Sequence, residues 1–263
     1  MSYLSLKDIN LYYQTRGQGP PLLMIMGMSA NVDWWPETLL SMLEKKNTLI
    51  LFDNRGAGRT SGSTWLYSIN EFADDALALL DALEIKQTAV FGVSMGGMIA
   101  QTLTLRYPER VSHLILGCTA CSLNGLNQLS LESLFYAWLY GLGSLTQPEK
   151  WLLRLTLAQY NLNTPENSDF MHRINIAPTN YLDQWKHFFA VMLFNSYPHL
   201  NQISCPVLIM TGKRDFMIPH RNSDILAEQI PHAKLIKFPN ASHAFIRDET
   251  EGVTLAIHDF AQL

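Results

Sequence analysis

The segment Gly92-Val93-Ser94-Met95-Gly96 places a serine between two glycines, at a spacing typical of a nucleophile. A serine hydroxyl is a weak nucleophile at neutral pH. It needs a base to take its proton, a group that orients this base, and donors for the oxyanion that forms. The two glycines lack the Cβ atoms that would clash in a sharp strand-to-helix turn. The segment therefore predicts acyl-transfer chemistry at the Ser94 hydroxyl.

The elements that must position Ser94 are a strand before it, at residues 88–91, and a helix after it, at residues 95–107. Strand-like and helix-like segments alternate through most of the chain, which predicts a mostly parallel sheet flanked by helices. The other predicted strands are residues 3–7, 10–15, 22–26, 48–52, 111–117, 207–210 and 234–238, and the other predicted helices lie near 36–46, 69–84, 221–230 and 249–262. Ser94 would then lie at the carboxyl end of the sheet, beside a helix N-terminus that favours negative charge.

Residues 122–200 interrupt this alternation. They have a helical pattern and many large apolar side chains: Leu134, Phe135, Trp138, Leu139, Trp151, Trp185, Phe188, Phe189 and Met192. A segment with so many large apolar side chains is too apolar to be a linker. We interpret the segment as an inserted helical cap on a core domain formed by residues 1–121 and 201–263. Additional core is the alternative, and the two overlap because a cap must pack on the main domain.

Three motifs together resemble those of the α/β-hydrolase family. They are the Ser94 segment, the loop Asp53-Asn54-Arg55-Gly56-Ala57-Gly58-Arg59-Thr60, and the link Arg106-Tyr107-Pro108-Glu109-Arg110-Val111. The loop is similar to the family's D-x-R-G-x-G-x-S pattern, with Thr60 in place of the serine. The resemblance covers almost the whole chain outside the cap. It implies an α/β-hydrolase fold, with a mostly parallel central sheet, and a serine hydrolase.

The same resemblance implies the partners of Ser94. Residues 211–219 look like the family's loop that carries the acid, so Asp215 maps to the acid of a catalytic triad. Some relatives place this acid after an earlier strand, but residues 118–131 contain no Asp or Glu. His243 precedes the final helix and matches the base. The order Ser94, Asp215, His243 is the order that this fold requires.

The oxyanion hole needs two backbone N–H donors, which the resemblance assigns to Met95 and Met28. Relatives often have His-Gly at the second position, where this chain has Met26-Gly27-Met28. A main-chain donor does not depend on that histidine, but the packing of the loop does. Gly27, Trp34, Trp138 and Phe189 are candidates for the substrate pocket. His172 and His187 lie in the predicted cap, where a satisfied or exposed position explains them better than substrate contact.

Composition excludes several other classes of function. The chain has 263 residues, a net charge of −4 and 48% hydrophobic residues, with no basic stripe for nucleic acid. Its N-terminus lacks the pattern of a signal peptide, and its apolar stretches are too short to span a bilayer, so we expect a soluble cytoplasmic protein. Cys118 and Cys121 lack the further ligands of a metal site, and small residues closing a buried strand explain them better. We expect neither metal nor cofactor.

The leading hypothesis is that the protein hydrolyses carboxylic esters or lactones of small, largely apolar substrates. The motifs also resemble those of enol-lactonases, small carboxylesterases, carbon–carbon bond hydrolases and cofactor-free haloperoxidase-type perhydrolases. Dehalogenases are disfavoured because they carry Asp at the position of Ser94. A ligand-binding receptor with slow turnover is the alternative from another class, since fold does not fix function. The oligomeric state is left open.

Overall fold

A computed structural model describes residues 2–63, 65–123, 170 and 172–261. Eight strands form one sheet in the spatial order β1-β2-β4-β3-β5-β6-β7-β8. Their bounds are β1 Ser2–Ser5, β2 Asn10–Arg16, β3 Pro21–Ile25, β4 Thr48–Phe52, β5 Thr88–Val93, β6 Val111–Gly117, β7 Val207–Gly212 and β8 Lys234–Phe238. β2 pairs antiparallel with both β1 and β4, and the other pairings are parallel. The predicted α/β-hydrolase architecture is therefore confirmed.

The described helices follow the predicted pattern, except that the helix predicted near 36–46 ends at Leu43 and a short helix precedes the last one. They are α1 Glu37–Leu43, α2 Ile69–Ala82, α3 Met95–Arg106, α4 Tyr181–Met192, α5 Arg221–Gln229, α6 Phe245–Asp248 and α7 Thr250–Ala261. The predicted last helix begins one residue later, at Thr250, and the short α6 precedes it. Glu249 separates the two because its backbone, at φ −133° and ψ 42°, leaves the helical region.

The core has two layers, one on each face of the sheet. Alternate residues of a strand point to opposite faces. In β3, Leu23 and Ile25 pack with α2 and α3, whereas Leu22 and Met24 pack with α1 and α7. Because both faces are covered, the central strands are continuous apolar runs, and all six residues of β5 are buried. This rigid sheet holds the loops at its carboxyl edge.

The described part of the predicted cap packs closely on this core. α4 turns Asp183, Gln184, His187, Ala190 and Val191 inward, and Ala190 and Val191 join the core layer that contains α2 and α3. The candidate pocket residue Trp138 and the rest of residues 124–169 lie outside the described residues. The division into a core domain and a cap stays a prediction.

Among the described residues, no helix combines the length and the apolar character needed to cross a lipid bilayer.

Candidate active site

Ser94 occupies the tight turn between β5 and α3. Its backbone has φ 57° and ψ −122°, a conformation that non-glycine residues rarely adopt. Two hydrogen bonds hold it there. The Ser94 N–H donates to the carbonyl of Gly117 at 2.9 Å, and the Thr119 hydroxyl donates to the Ser94 carbonyl at 2.7 Å. Strained backbone of this kind persists only where its surroundings enforce it.

The two glycines of the motif are required by contacts with neighbouring backbone. A Cβ on Gly92 would lie 2.2 Å from the carbonyl oxygen of Gly96, and a Cβ on Gly96 would lie 2.1 Å from that of Ile25. Neither backbone atom can move without disturbing β3 or α3. The glycine spacing therefore reflects how closely the turn packs against the end of β3.

Asp215 and His243 are joined by a hydrogen bond of 2.7 Å between Asp215 Oδ2 and His243 Nδ1. Asp215 follows β7 and His243 follows β8, and these strands are neighbours in the sheet. The other oxygen, Oδ1, accepts the backbone N–H groups of Met217 and Ile218, each at 2.9 Å. The Asp215 side chain is fully buried. Three donors thus fix this carboxylate in one orientation, which in turn orients the imidazole.

A buried thiol lies behind this pair. Cys118 Sγ, an Asp215 oxygen and a His243 nitrogen lie within 4.8 Å of one another. Burial, together with the charge of Asp215, raises the pKa of the Cys118 thiol well above its usual value. Cys118 Sγ also lies 3.8 Å from the carbonyl oxygen of Ser242, to which a protonated thiol can donate a weak hydrogen bond. Cys118, Cys121 and Cys205 are free cysteines. The first two are buried, as expected of small residues that close a buried strand.

Ser94 and His243 line one cavity of about 90 Å³. Gly27, Met28 and Trp34 belong to the same wall, together with Phe170, Met217, Ile246 and Arg247. Among the described residues, Ser94 Oγ and His243 form no hydrogen bond with each other. Such bonds are often long without substrate and tighten only when it binds. The structure brings the predicted nucleophile and base to one cavity wall but does not pair them.

The loop after β3 passes directly beside the Ser94 side chain. A Cβ built on Gly27 would lie 3.1 Å from Ser94 Cβ and 3.6 Å from Ser94 Oγ. The peptide from Gly27 to Met28 is therefore next to the hydroxyl. The N–H of Met95 is the first of α3, and the first N–H groups of a helix have no partner within it. The Met95 N–H and the Gly27–Met28 peptide thus both lie close to Ser94.

Three hydrogen bonds hold the loop after β3 to residues 177–187, which comprise the segment before α4 and the first turns of α4. The Ser29 N–H donates to Nδ1 of His187 at 3.1 Å, and the Thr179 hydroxyl donates to the Ser29 carbonyl at 2.8 Å. Asn31 donates to the carbonyl of Ala177 at 2.7 Å. Ser29 itself has a positive φ of 60°. We call residues 177–187 the clamp segment, because they satisfy both backbone groups of Ser29.

His187, for which the sequence favoured a satisfied or exposed position over substrate contact, is fully buried with both ring nitrogens hydrogen-bonded. Its Nε2 lies 2.8 Å from the carbonyl oxygen of Arg55. Because the Ser29 N–H must donate to Nδ1, the proton of the neutral ring sits on Nε2 and is donated to Arg55. Burial lowers the pKa of His187 to about 4. No local motif marks this role, since the partners of His187 are distant in sequence.

The Asp53–Thr60 loop forms hydrogen bonds with the loop after β3. Asp53 accepts the backbone N–H of Val32 at 2.7 Å and that of Arg59 at 2.8 Å, and burial raises its pKa to about 6. Asn54 donates to the carbonyl of Met26 at 3.0 Å. The guanidinium of Arg55 forms a buried, bidentate pair with Asp75, with both distances 2.7 Å. This motif therefore holds the end of β3 and the loop beyond it.

Phe189 does not form part of the described cavity wall. It lies on the outer side of α4, 46% exposed, and its ring packs against Trp185 and Phe188. α4 buries the face that carries His187, and Phe189, two residues further on, points about 200° away. Apolar density alone suggested Phe189 as a pocket residue. The helical phase, which requires a known inward face, argues against it.

Comparison with known proteins places this geometry in context. The profile of the alpha/beta hydrolase fold matches residues 20–250. The chain is 26% identical to 3-oxoadipate enol-lactonase 2 of Acinetobacter baylyi, over 91% of this chain and 88% of that protein. It is 30% identical to 2-hydroxymuconate semialdehyde hydrolase of Pseudomonas sp., over 86% and 81%. An enol-lactonase structure from Burkholderia xenovorans covers all of both chains with a TM-score of 0.84 at 20% identity.

Proposed function

The chain belongs to the alpha/beta hydrolase fold family, and from this premise we propose that it is a serine hydrolase of small carboxylic esters or lactones. The observation that carries the proposal is the Asp215–His243 hydrogen bond at 2.7 Å, facing a cavity whose wall also contains Ser94. Ser94, His243 and Asp215 would form the triad. An enol-lactonase among the relatives supports a lactone or ester as substrate.

In the proposed mechanism, His243 takes the proton of Ser94 through Nε2 while Oγ attacks the carbonyl carbon. Asp215 keeps the proton of the neutral ring on Nδ1 and stabilises the imidazolium that forms. The bond from carbon to the leaving oxygen then breaks, and that oxygen takes the proton from Nε2. Water then attacks the acyl carbon while His243 takes its proton, the bond from that carbon to Ser94 Oγ breaks, and Oγ takes the proton back from Nε2. The products are the alcohol and the acid, or the single hydroxy acid from a lactone.

The oxyanion of each tetrahedral intermediate would accept hydrogen bonds from the N–H groups of Met28 and Met95. Such a donor contributes about 3–4 kcal/mol to stabilisation of the transition state. The close approach of Gly27 to Ser94 supports this assignment. The clamp segment and the Asp53–Thr60 loop would keep Met28 in place. A cap formed by residues 122–200 would cover the cavity, and we retain it as part of the proposal.

The proposal is tested with p-nitrophenyl esters from acetate to decanoate and with simple lactones, using wild-type enzyme and the Ser94→Ala variant. We expect turnover of short esters that Ser94→Ala abolishes, and labelling of wild-type enzyme by a serine-reactive phosphonate. Persistent ester turnover in Ser94→Ala contradicts the mechanism. An inert wild-type enzyme that binds a ligand tightly favours the receptor-like alternative instead.

A further inference from the structure

The residue before the proposed base is bound by a carboxylate from α6. The Ser242 N–H donates to Oδ2 of Asp248 at 2.7 Å, and the Ser242 hydroxyl donates to the same oxygen at 2.8 Å. Ser242 is buried, with 3% of its surface exposed. A carboxylate accepts stronger hydrogen bonds than a neutral oxygen does. Asp248 therefore fixes both the backbone and the side chain of the residue that precedes His243.

The backbone on the other side of His243 is held by the same two residues. The Ala244 N–H donates to Oγ of Ser242 at 3.1 Å, and the Ala244 carbonyl accepts the N–H of Asp248 at 3.1 Å. These hydrogen bonds link Ser242, Ala244 and Asp248 into a closed network. Because His243 lies between Ser242 and Ala244, the network holds the chain on both sides of the imidazole.

The packing of α6 gives this network a fixed position relative to the sheet. Phe245, at the start of α6, is fully buried in the core layer that contains α1 and α7. Its ring stacks on that of Phe238 in β8, with 6.3 Å between the ring centres. A Cβ built on Gly117, the last residue of β6, would lie 2.5 Å from Phe245 Cζ. Because Asp248 ends the same short helix, its carboxylate is held in place relative to the carboxyl ends of β6 and β8.

His243 needs such a support because its hydrogen bond with Asp215 constrains only one ring nitrogen. That bond holds Nδ1 at 2.7 Å from Oδ2, but the ring can still rotate about it. The direction of Nε2 then depends on where the backbone places the Cα atom of His243. A displacement of about 1 Å at a reacting group costs roughly 10²-fold in rate.

We propose that Asp248 is a positioning residue, which holds the backbone of His243 through Ser242 and Ala244 so that Nε2 is directed at the Ser94 hydroxyl during catalysis. The inference rests on the proposed function, because it concerns the base of the same triad. Neither Asp248 nor Ser242 is among the described residues that line the cavity. Their replacement should therefore lower kcat, which depends on proton transfer, with little effect on KM.

The test measures kcat and KM for p-nitrophenyl acetate in Asp248→Leu, Asp248→Asn, Ser242→Ala and the double variant Asp248→Leu with Ser242→Ala. Rates are expressed per folded enzyme, measured by denaturant titration. We expect Asp248→Leu to lower kcat by about tenfold or more while KM changes by less than about threefold. Asp248→Asn should keep most of the activity, since its amide oxygen can still accept both donors of Ser242. Ser242→Ala should cost less in the double variant than alone, because residues of one network are not additive.

Ser68→Ala is the matched control, because Ser68 has the same arrangement at the start of α2. Its N–H and its hydroxyl both donate to Oε2 of Glu71, each at 2.9 Å, and Ser68 is not among the described residues that line the cavity. This variant should lower the free energy of unfolding and leave kcat unchanged. If Asp248→Leu does not fold, Ser242→Ala decides alone, with an expected loss in kcat of about fivefold or more.

A kcat within about threefold of wild type in folded Asp248→Leu, or an equal loss in Ser68→Ala, overturns the positioning role while the proposed function stands. Losses that simply multiply in the double variant overturn it as well. If wild-type enzyme hydrolyses no p-nitrophenyl ester, or if Ser94→Ala hydrolyses them at the wild-type rate, the proposed function itself fails.

Discussion

Nδ1 of His187 accepts a hydrogen bond from the backbone N–H of Ser29, and the two atoms lie 3.1 Å apart. The residues are separated by 158 positions in sequence. Ser29 directly follows Met28, the proposed oxyanion donor, so the imidazole fixes the loop one residue beyond that donor. The family's usual His-Gly sequence is absent from this loop, and here a histidine reaches it from α4.

Replacing His187 by Leu is expected to lower kcat by about tenfold or more with a smaller change in KM, because the buried Ser29 N–H loses its acceptor and the loop relaxes. Two conservative variants separate the contacts. His187→Asn keeps an acceptor near the position of Nδ1, whereas His187→Gln keeps a donor near that of Nε2. We expect His187→Asn to retain more activity. His172→Leu, at an exposed position, is the control. An unchanged kcat in His187→Leu would assign this residue to stability alone.

Stability should depend on pH through the same residue. Burial lowers the pKa of His187 to about 4 from the usual 6.5, and the charge of Lys186 acts in the same direction, whereas Asp183 and the hydrogen bond to Arg55 oppose it. The unfolded chain therefore takes up a proton first as the pH falls. The contribution of His187 to the free energy of unfolding is complete above pH 6.5. It decreases by roughly 3 kcal/mol as the pH falls to 4.

Denaturant titrations of wild-type enzyme and His187→Asn between these two pH values measure this contribution as a difference. The difference is needed because Asp53 acts in the opposite sense. Burial raises its pKa to about 6, so its contribution to stability is lost as the pH rises through this value. Parallel curves for the two proteins would show that His187 is not the group responsible.

Gly27→Ala is expected to lower kcat by about tenfold or more while the protein stays folded, because the new methyl group lies 3.1 Å from Ser94 Cβ and displaces either the serine or the loop. Gly252→Ala is the matched control. Its methyl group would also lie 3.1 Å from a side-chain atom, Phe238 Cε1, but on α7. Steady-state kinetics should separate the two variants. Equal activities would show that the Gly27 loop is not adjacent to the reacting atoms in solution.

Asp215→Asn tests how the carboxylate controls the imidazole. The amide oxygen can still accept the N–H groups of Met217 and Ile218, so we expect the fold to persist. The amide nitrogen would face Nδ1 and favour the wrong tautomer, with a loss in kcat on the order of 10⁴. Asp259→Asn, at an exposed position on α7, should have no effect. A loss of less than tenfold in Asp215→Asn would mean that another group orients His243.

Arg55→Met is expected to destabilise the protein by about 3–5 kcal/mol, because it leaves the buried carboxylate of Asp75 without its partner. The double variant Arg55→Met with Asp75→Leu should recover much of this loss. Arg106→Met removes an exposed pair with Asp74 and should cost less than about 1 kcal/mol. Chemical denaturation of the three variants provides the comparison. Similar losses for Arg55→Met and Arg106→Met would contradict the ranking by burial.

The strands and helices of the core could be predicted because each is encoded locally. Apolar runs such as β5 mark strands covered on both faces, and the glycines around Ser94 mark a turn that tolerates no Cβ. The pairing of Asp215 with His243 was implied by the resemblance to the α/β-hydrolase family, and the structure brings them together because β7 and β8 are neighbouring parallel strands whose carboxyl ends meet at one edge.

The supports of the site could not be predicted in the same way. Arg55 and Asp75 are 20 residues apart, and Ser29 and His187 are much further, so only the folded chain defines these pairs. The sequence pattern marked His187 as a residue of a predicted cap and Phe189 as a pocket candidate. Which of the two points inward depends on the rotation of α4 about its axis, and that rotation is set by packing against α2 and α3.

The backbone conformation that Ser94 adopts in the active site destabilises the folded protein. A φ of 57° with a ψ of −122° costs an L-residue roughly 1–3 kcal/mol, whereas glycine adopts it without this penalty. Ser94→Gly should therefore unfold at the same temperature as the wild-type protein or a higher one, although it removes the hydroxyl on which turnover depends. The residue that gives the higher stability at this position therefore differs from the residue that gives activity. Selection for thermal stability alone would replace the nucleophile.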